Sequence, residues 1–568
     1  MASTLTIDTA DTTGTTGTTV RTGADTIARI LARAGVDVVF TLCGNHVLPL
    51  YAALHDAGVR LVDTRTESGA VMAADAYARV TRTVGVALVT GGPGLTNALT
   101  GLVTAHAAGS SVLLISGQLD LATTGQGGHQ ELDQAATAAP CAAWSKQATH
   151  ARQLPALLTA AFAACATGGG AAHLSVPTDV LRAPVPEEPG AGQPAAPAEP
   201  AGVAVAEVLD LLAGARRPAV IAGSGAHWAH CEHSLTRLVE ITGIPLFTVD
   251  LARGLVPDAH PRCYGYADPS LSAVAARMCA TADVVLLLGK SLDFRLRFGA
   301  AFAPGVRLVG VTAAASANTG SRPFDHTVTA DLDRFTDRLA GAATTRSWST
   351  QDWTAELDAA AAGQRASWDA LVRADDRHPL AVADALAPVL GAAPTTLVLD
   401  AGDFVQWCRS SLPASGPGRW IRLGPMATCG AGTPFALGAR HARPGDRVLL
   451  VTGDGSFGYY LAEFEAAARQ GLPFVAVVGD NNGWALERNL QQGLYGEEYV
   501  LASRLSAVRY DRVVEGLGGY GEYVEHVADL GAAVERAFAS GRPACVQIPV
   551  GDNPSPLTAA VIARKGNV

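Results

Sequence analysis

RVLLVTGDGSF at positions 447–457 and FVAVVGDNNGW at 474–484 are the two stretches on which the fold turns. In the first, the apolar run Val448 to Val451 reaches Thr452 and breaks at Gly453-Asp454-Gly455-Ser456, which reads as a buried strand turning into a helix. Leu461 and Phe464 are apolar positions of that helix, and Gly471 and Pro473 stop it. The second stretch is another buried strand, Phe474 to Gly479, running into Asp480-Asn481-Asn482-Gly483. Asp454 and Asn481 therefore fall just past the carboxyl ends of consecutive strands, where open α/β sheets place ligands. A carboxylate and an amide oxygen are hard ligands suited to Mg²⁺ that also takes oxygens from a diphosphate. The glycines let backbone N–H groups approach such phosphates, and the following helix N-terminus adds favourable potential. A lone Gly-Asp-Gly is ordinarily a tight turn, and the second stretch at this distance is what lifts it above that.

Working outward, short Val, Leu and Ile runs alternate with Ala-rich amphipathic stretches along the whole chain, as parallel α/β units require. Strands are expected at Val36–Phe40, Leu61–Thr64, Val84–Thr90 and Val112–Ile115, then at Ala219–Ala222, Pro245–Val249, Val284–Leu288 and Val306–Val311, with Thr396–Asp400 opening a third unit. The Pro/Ala/Glu-rich stretch from Ala183 reads as a linker, as does the polar passage near 341–375. The expectation is three doubly wound parallel-sheet domains, at 21–182, 204–345 and 376–568, joined by linkers at 183–203 and 346–375.

Composition excludes several classes. The 568 residues carry a net charge of −10 spread without runs of one sign, so no nucleic-acid footprint is present. No apolar stretch reaches the roughly 18 to 20 residues of a membrane-spanning helix. Residues 1–20 have neither a basic nor an apolar leader segment and read as a disordered Thr-rich tail, so a cytoplasmic chain is expected. The nine cysteines show no C-x-x-C pairing, which argues against a disulfide framework or thiolate zinc site. The 61 glycines have no collagen-like period, and their placement at the quoted turns suggests backbone approach to a ligand.

The Gly-Asp-Gly and Asn-Asn pair at this spacing resembles the signature of thiamine diphosphate (ThDP) enzymes, and the resemblance runs through three domains in the order pyrimidine-binding, central, diphosphate-binding. It implies ThDP and Mg²⁺, with Asp454, Asn481 and the Gly483 carbonyl as metal ligands. The family usually reads Asn-Asn where this chain has Asp480-Asn481, and Asn482 competes if the register slips by one. TRTESGAVMAADAYARVT (64–81) resembles the segment whose Glu protonates the aminopyrimidine; here that is Glu67, with Thr66 replacing the commoner His. GGPGLTNALTG (91–101) resembles the family turn that shapes the pyrimidine pocket. GPMATCGAGTPFALGAR (424–440) resembles the segment that bends the cofactor, with Cys429 at the position of an apolar wedge, often Met, and the Ala427 carbonyl holding the amino group. Gly402, Asp403 and Phe404 follow the first strand of the third domain and are expected to line the diphosphate. Asp403 suits this only if its side chain turns away. Gly453, Gly455, Ser456 and Trp484 complete the expected cofactor contacts.

The resemblance is nearest to acetolactate synthases and the related 2-hydroxyacyl-CoA lyases and oxalyl-CoA decarboxylases. His129 and Gln130 stand where synthases carry substrate-facing Phe and Gln, and Leu490 stands where they carry an acceptor-selecting Trp. Glu487 stands where pyruvate-decarboxylase-like enzymes use a Glu on the substrate. A lone His or helix-face Glu is commonly structural, so these are candidates for positioning or proton transfer. The central Gly223-Ser224-Gly225 turn is weak evidence for FAD, ADP or CoA, since such domains in the family also hold nothing, and Arg253, Arg295, Arg297 and Arg322 could meet phosphates there, although scattered arginines are more often plain surface. The implied activity is a carboligase: a 2-oxo acid donor is decarboxylated and the resulting enamine couples to a second carbonyl, giving an acyloin or acetohydroxyacid. A homodimer or homotetramer is implied, since Glu67 and the metal loop come from different subunits in the family. The alternatives are C–C cleavage of the 2-hydroxyacyl-CoA or oxalyl-CoA type, or a non-catalytic ThDP-fold regulatory protein. A nicotinamide dehydrogenase is disfavoured because no full G-x-G-x-x-G follows the first central strand.

Overall fold

The computed structural model describes residues 21–166, 169–185, 202–313 and 322–565; the expected tail and residues 186–201 of the expected first linker lie outside them. The chain folds into three α/β domains, each built on a six-stranded parallel sheet. In the first, the order across the sheet is Arg60–Asp63, Val38–Thr41, Gly85–Val89, Val112–Gln118, Ala171–Pro177 and Trp144–Gln147. The third repeats that topology: Trp420–Arg422, Thr395–Leu399, Arg447–Gly453, Val475–Asp480, Ala544–Pro549 and Tyr520–Tyr523. The central sheet differs, with its first chain strand, Pro218–Ala222, between Leu246–Thr248 and Val284–Leu288. That is the order associated with dinucleotide-binding folds. The central strands of all three sheets are fully buried apolar runs, because helices cover both faces.

The passage expected as a linker at 346–375 is corrected: Gln351–Ala374 is one helix of 24 residues. Only its first turns carry large apolar anchors, Trp353 and Leu357, both buried, with the Trp353 Nε1–H donating to the Pro218 carbonyl at 3.0 Å. Beyond them Trp368, Leu371 and Val372 stay partly or fully exposed among alanines and charges, so no buried apolar face marks the helix, while alanine still favours it. Arg365 reaches Asp384 at 2.9 Å, tying this helix to the third domain. The helix expected after Ser456 is also broken, into a turn at Asp454–Phe457 and a second helix, Glu463–Gln470, which Gly471 ends in the left-handed conformation.

The first and third domains meet through two small-residue helices, Glu67–Thr81 and Gly432–Ala442. Ala70, Ala73, Ala74, Ala76 and Ala78 are completely buried. The fit is set by backbone: a Cβ on Gly438 would lie 2.0 Å from the Ala73 carbonyl oxygen. Beside it, the Glu463 carboxylate accepts from the Arg65 N–H at 3.0 Å and from the Thr66 hydroxyl at 3.1 Å. Burial raises the Glu463 carboxyl to about 7.

Two outcomes follow from this contact. Gly438→Ala is expected to lower stability by at least about 2 kcal/mol in a denaturant titration, because neither backbone can retreat; a neutral result would mean the helices separate freely. The folded pKa of Glu463 lies above that of an unfolded glutamate. The folded chain therefore binds more protons between about pH 4.5 and 7, and stability falls as pH rises through that window. Glu463→Gln, which does not titrate, is expected to flatten the slope of Tm across it, and an unchanged slope would assign the titration elsewhere.

Candidate active site

At the carboxyl edge of the third sheet, the strands Thr395–Leu399 and Arg447–Gly453 leave in opposite directions, and a cleft of about 210 Å³ opens there. Its lining includes Gly402, Asp403, Phe404, Ala427, Cys429, Gly453, Asp454, Gly455, Ser456, Asn481, Gly483, Trp484 and Glu487. The residues singled out in the third domain are thus one site rather than separate turns.

Asp454 is 3% exposed, and burial together with the neighbouring Asp480 carboxylate raises its pKa to about 7. The Gly483 N–H donates to Asp454 Oδ2 at 2.9 Å, so the two loops are already clasped. Of the two competing asparagines, Asn481 lines the cleft. Asn482 is exposed, has a φ of 55° and gives its N–H to Asp480 Oδ1 at 3.0 Å. Asp480 Oδ2 is held in turn by Gln547 at 2.7 Å. Among the described residues no three His, Cys, Asp or Glu side chains gather as a self-sufficient metal site. A hard cation at Asp454 and Asn481 must therefore complete its shell with carbonyl and ligand oxygens, which is how Mg²⁺ binds beside a phosphate.

The glycines divide into two kinds. Gly402, at φ +97°, has nothing within 4 Å of a would-be Cβ, and the nearest atom to one on Gly453 is 3.9 Å away. Both face open cleft, as a diphosphate cradle requires. Gly455, Gly430 and Gly432 are instead set by packing, since a Cβ there would meet Trp484 at 2.8 Å, Tyr459 at 2.5 Å and Asp400 at 2.6 Å. Asp403 resolves its electrostatic problem through its partners: its carboxylate turns away to accept from Asn489 at 3.0 Å and Thr558 at 2.5 Å. Asp400, to which sequence reasoning gave no role, accepts from the N–H groups of Ala401, Gly430 and Gly432 and from the Thr452 hydroxyl at 2.8 to 3.2 Å. It anchors the Ala427–Gly432 turn, and burial raises its pKa to about 6. Cys429 is half-buried beside this turn, and burial raises its thiol pKa, so it is a neutral, small side chain in the cleft.

Glu67, His129 and Gln130 are not in the lining of this cleft within one chain. They cluster on the first domain. Glu67 opens its helix after the N-cap Thr66, and Asn97 of the quoted 91–101 turn donates to Glu67 Oε2 at 3.2 Å. Gln130, at φ 61°, packs on Gly92, where a Cβ would come within 2.8 Å of its own. His129 is exposed on the same loop. A residue missed in the sequence is His46, 7% exposed, whose Nδ1 lies 3.1 Å from the Thr90 hydroxyl and whose Cβ and backbone fill the space left by Gly117. Burial lowers its pKa, with His129 adding to the shift. Its only sequence signal was a position just past the strand Val38–Thr41.

The central glycines have a packing explanation: a Cβ on Gly223 would meet the Gly289 oxygen at 2.7 Å, and one on Gly225 the Gly289 Cα at 2.8 Å. Arg253 is paired with Asp258, and Arg295 with Asp250 at 2.5 Å. Arg253 and Arg295 are thus each engaged by a carboxylate of the same domain.

Three family models match the chain: the thiamine pyrophosphate enzyme N-terminal TPP binding domain at residues 21–137, the central domain at 205–339 and the C-terminal TPP binding domain at 400–548. A probable acetolactate synthase of Mycobacterium bovis is 36% identical over 92% of this chain and 94% of its own length. The chain belongs to the thiamine pyrophosphate enzyme family. An acetolactate synthase large subunit of Mycobacterium tuberculosis matches equally, and human 2-hydroxyacyl-CoA lyase 2 is 30% identical over 94% of this chain and 90% of its own. Thiamine pyrophosphate is ThDP, so the cofactor class and the three-domain fold agree with the cleft just described. Among the described residues no helix is long and apolar enough to cross a membrane.

Asp454→Ala is expected to abolish Mg²⁺-dependent retention of ThDP through desalting, measured as bound thiamine. Full retention by the variant would remove Asp454 from the metal site.

Proposed function

We propose that this protein is a ThDP- and Mg²⁺-dependent carboligase that decarboxylates a 2-oxo acid and joins the remaining acyl unit to a second carbonyl compound. The observation that carries the reading is the convergence of Asp454, Asn481 and Gly483 on one cleft with the open Gly402 and Gly453. The acetolactate synthase names of the 36% identical relatives favour coupling. The 2-hydroxyacyl-CoA lyase names at 30% to 31% identity support cleavage of a related bond as the second reading.

Bound in the cleft, ThDP supplies the electron sink for decarboxylation. The chain does the rest. Asp454 and Asn481 would hold the cation, and the open space beside the Gly402 and Gly453 backbones would leave room for the diphosphate. Ala427, at φ 49°, presents its carbonyl to the aminopyrimidine, and the turn tied to Asp400 fixes that carbonyl in place. Glu67 works from a second copy of the chain: Asn97 holds Oε2, which leaves Oε1 to give and retrieve the proton on the aminopyrimidine ring nitrogen. Glu487 at the cleft rim and His129 and Gln130 on the first-domain loop are the groups available to position the second carbonyl and protonate its oxygen.

Glu67→Gln is expected to lower turnover by about 10²-fold or more, read as product formed from a panel of 2-oxo acids by mass spectrometry. Mixing inactive Glu67→Gln with inactive Asp454→Ala protein, with subunit exchange, is expected to restore part of the activity, because some pairs regain one intact shared site. Absence of any recovery after demonstrated exchange would place both residues in a site within one chain.

A further inference from the structure

The loop that carries Asn481 and Gly483 is held from outside the cleft by one long side chain. Arg488 stands one turn into the helix Ala485–Tyr495, is 8% exposed and is not among the residues that line the cleft. Its guanidinium donates to the Asn481 carbonyl, from Nη2 at 3.3 Å and from Nη1 at 3.4 Å. The same Nη1 lies against Gly483, where a Cβ would come within 2.5 Å of it and 2.7 Å of the Ser503 carbonyl oxygen. On the far side of the guanidinium, Nε forms an ion pair with Asp552 Oδ2 at 2.6 Å. Asp552 follows the strand Ala544–Pro549, and the chain there is itself anchored. The Gly551 N–H donates to the Arg377 carbonyl at 2.7 Å, and the Asn553 carbonyl accepts from the Trp407 indole at 3.1 Å.

Three successive carbonyls of the loop have different fates. That of Asn481 is taken by Arg488, and that of Asn482 by the Leu505 N–H at 2.8 Å. Gly483 forms a single antiparallel bridge with Arg504, bounded by that bond and by the one from the Trp484 N–H to the Ser503 carbonyl at 2.8 Å. A residue in such a pair turns its own N–H and C=O away from the facing strand. The Gly483 N–H accordingly goes to Asp454, and its carbonyl is left on that side, with no backbone N–H donating to it among the described residues. Arg488 thus fixes the peptide that follows the Asn481 side chain and packs on the residue whose carbonyl is free. A bare guanidinium so close to the loop would repel a divalent cation, and Asp552 supplies the counter-charge.

We infer that Arg488 is the positioning residue of the metal loop and that Asp552 holds it in place, so that Mg²⁺ affinity depends on an ion pair outside the cleft. The inference rests on the Mg²⁺ and ThDP part of the reading above and not on which carbonyl compounds are joined. The same stretch of chain reaches the other side of the cleft: the Thr558 hydroxyl donates to the Asp403 carboxylate, as does Asn489, the neighbour of Arg488. A pair that only fastened this stretch would add stability whether or not the cation were bound. A pair that orients the loop favours the arrangement the cation needs, and bound Mg²⁺ in turn strengthens the pair.

The test titrates Mg²⁺ into full-length protein freed of metal by EDTA, at saturating ThDP. Binding is followed by tryptophan quenching, to which Trp484 in the cleft lining contributes, and the Tm of the cofactor-free protein is measured alongside. Arg488→Gln is expected to raise the Mg²⁺ concentration at half-saturation by about 10- to 100-fold, the range for partners that orient metal ligands. Asp552→Asn, at an exposed position, is expected to raise it by about 10-fold, and it carries the comparison if the Arg488 variant fails to fold. The double variant is expected to bind no more weakly than Arg488→Gln alone, because Asp552 acts through the guanidinium. Arg488→Lys, which keeps the charge, is expected to recover part of the loss. Unchanged half-saturation with a lowered Tm would make the pair a fastening of the chain end and overturn the inference. Losses that multiply in the double variant would overturn the part given to Asp552. No Mg²⁺-dependent quenching in the unsubstituted protein would remove the metal assignment and this inference with it. Product formation is not part of the readout, so a carboligase reading that failed with every 2-oxo acid would leave the result as it stands.

Discussion

Backbone clearance around the helix Glu67–Thr81 is the constraint on which the rest of the molecule depends. Its middle lies so close to Gly432–Ala442 that only glycine fits at 438, and the strand start at Gly85 presses on the Ala74 carbonyl at 2.0 Å from a would-be Cβ. Its far end meets the other two domains. The Arg79 carbonyl accepts from His227 at 2.8 Å, Arg82 pairs with Glu232 at 2.8 Å, and the Arg79 guanidinium reaches the Arg422 carbonyl. Arg79 is buried with all its charge matched, by Asp75 and Ser110 as well as that carbonyl. Such a pair is costly to break by removing one partner. One helix thus carries Glu67 at its start, the seam between the first and third domains along its length, and the junction wall at its end.

The cleft is assembled by the same economy of space on the other side of that seam. Asp400 spends its carboxylate on the backbone of the 430–432 turn and on Thr452, so the turn that presents Ala427 is fixed to the two strands flanking the cleft. Asp403 points its charge toward Asn489 and Thr558, leaving only its backbone facing the place of an anion. Two acids next to a phosphate site are tolerable because one is consumed by N–H groups and the other is turned away. Asp454 is the exception, held near Asp480 with a raised pKa, and a divalent cation is the partner that makes two adjacent carboxylates favourable.

How far this was legible in the chain follows from how local each signal is. The strands at Val284–Leu288 and Val112–Gln118, and the loops at Asp454 and Asn481, are contiguous apolar runs ending in turn residues, so the pattern marks them directly. The helix that begins at Glu67 was legible because its N-cap and alanine spacing are also local. The helix Gln351–Ala374 was misread because its two anchors bury against a strand 135 positions away in sequence. The place of His46 depends on what faces it from other elements, Thr90 and Gly117. The glycines show the same limit, since Gly402 and Gly455 look alike in sequence and only the space beside them separates ligand approach from packing.

The shared topology of the first and third sheets gives a physical reason for the proposed division of the chemistry between copies. Each sheet has its switch between the first and third strands, and each collects functional groups there: Asp400–Phe404 and Gly453–Asp454 in one, His46, Thr90 and Gly91–Gly92 in the other. Within one chain the two domains are locked together through the helices Glu67–Thr81 and Gly432–Ala442, and Glu67 and its neighbours are not in the lining of the Asp454 cleft. Neither group can shift toward the other without separating backbones already in van der Waals contact. A second copy that brings its first-domain edge to the open side of the cleft meets no such obstacle. On this argument the close packing that stabilises a single chain is also what keeps Glu67 and the Asp454 cleft, the two halves of the proposed site, apart within it.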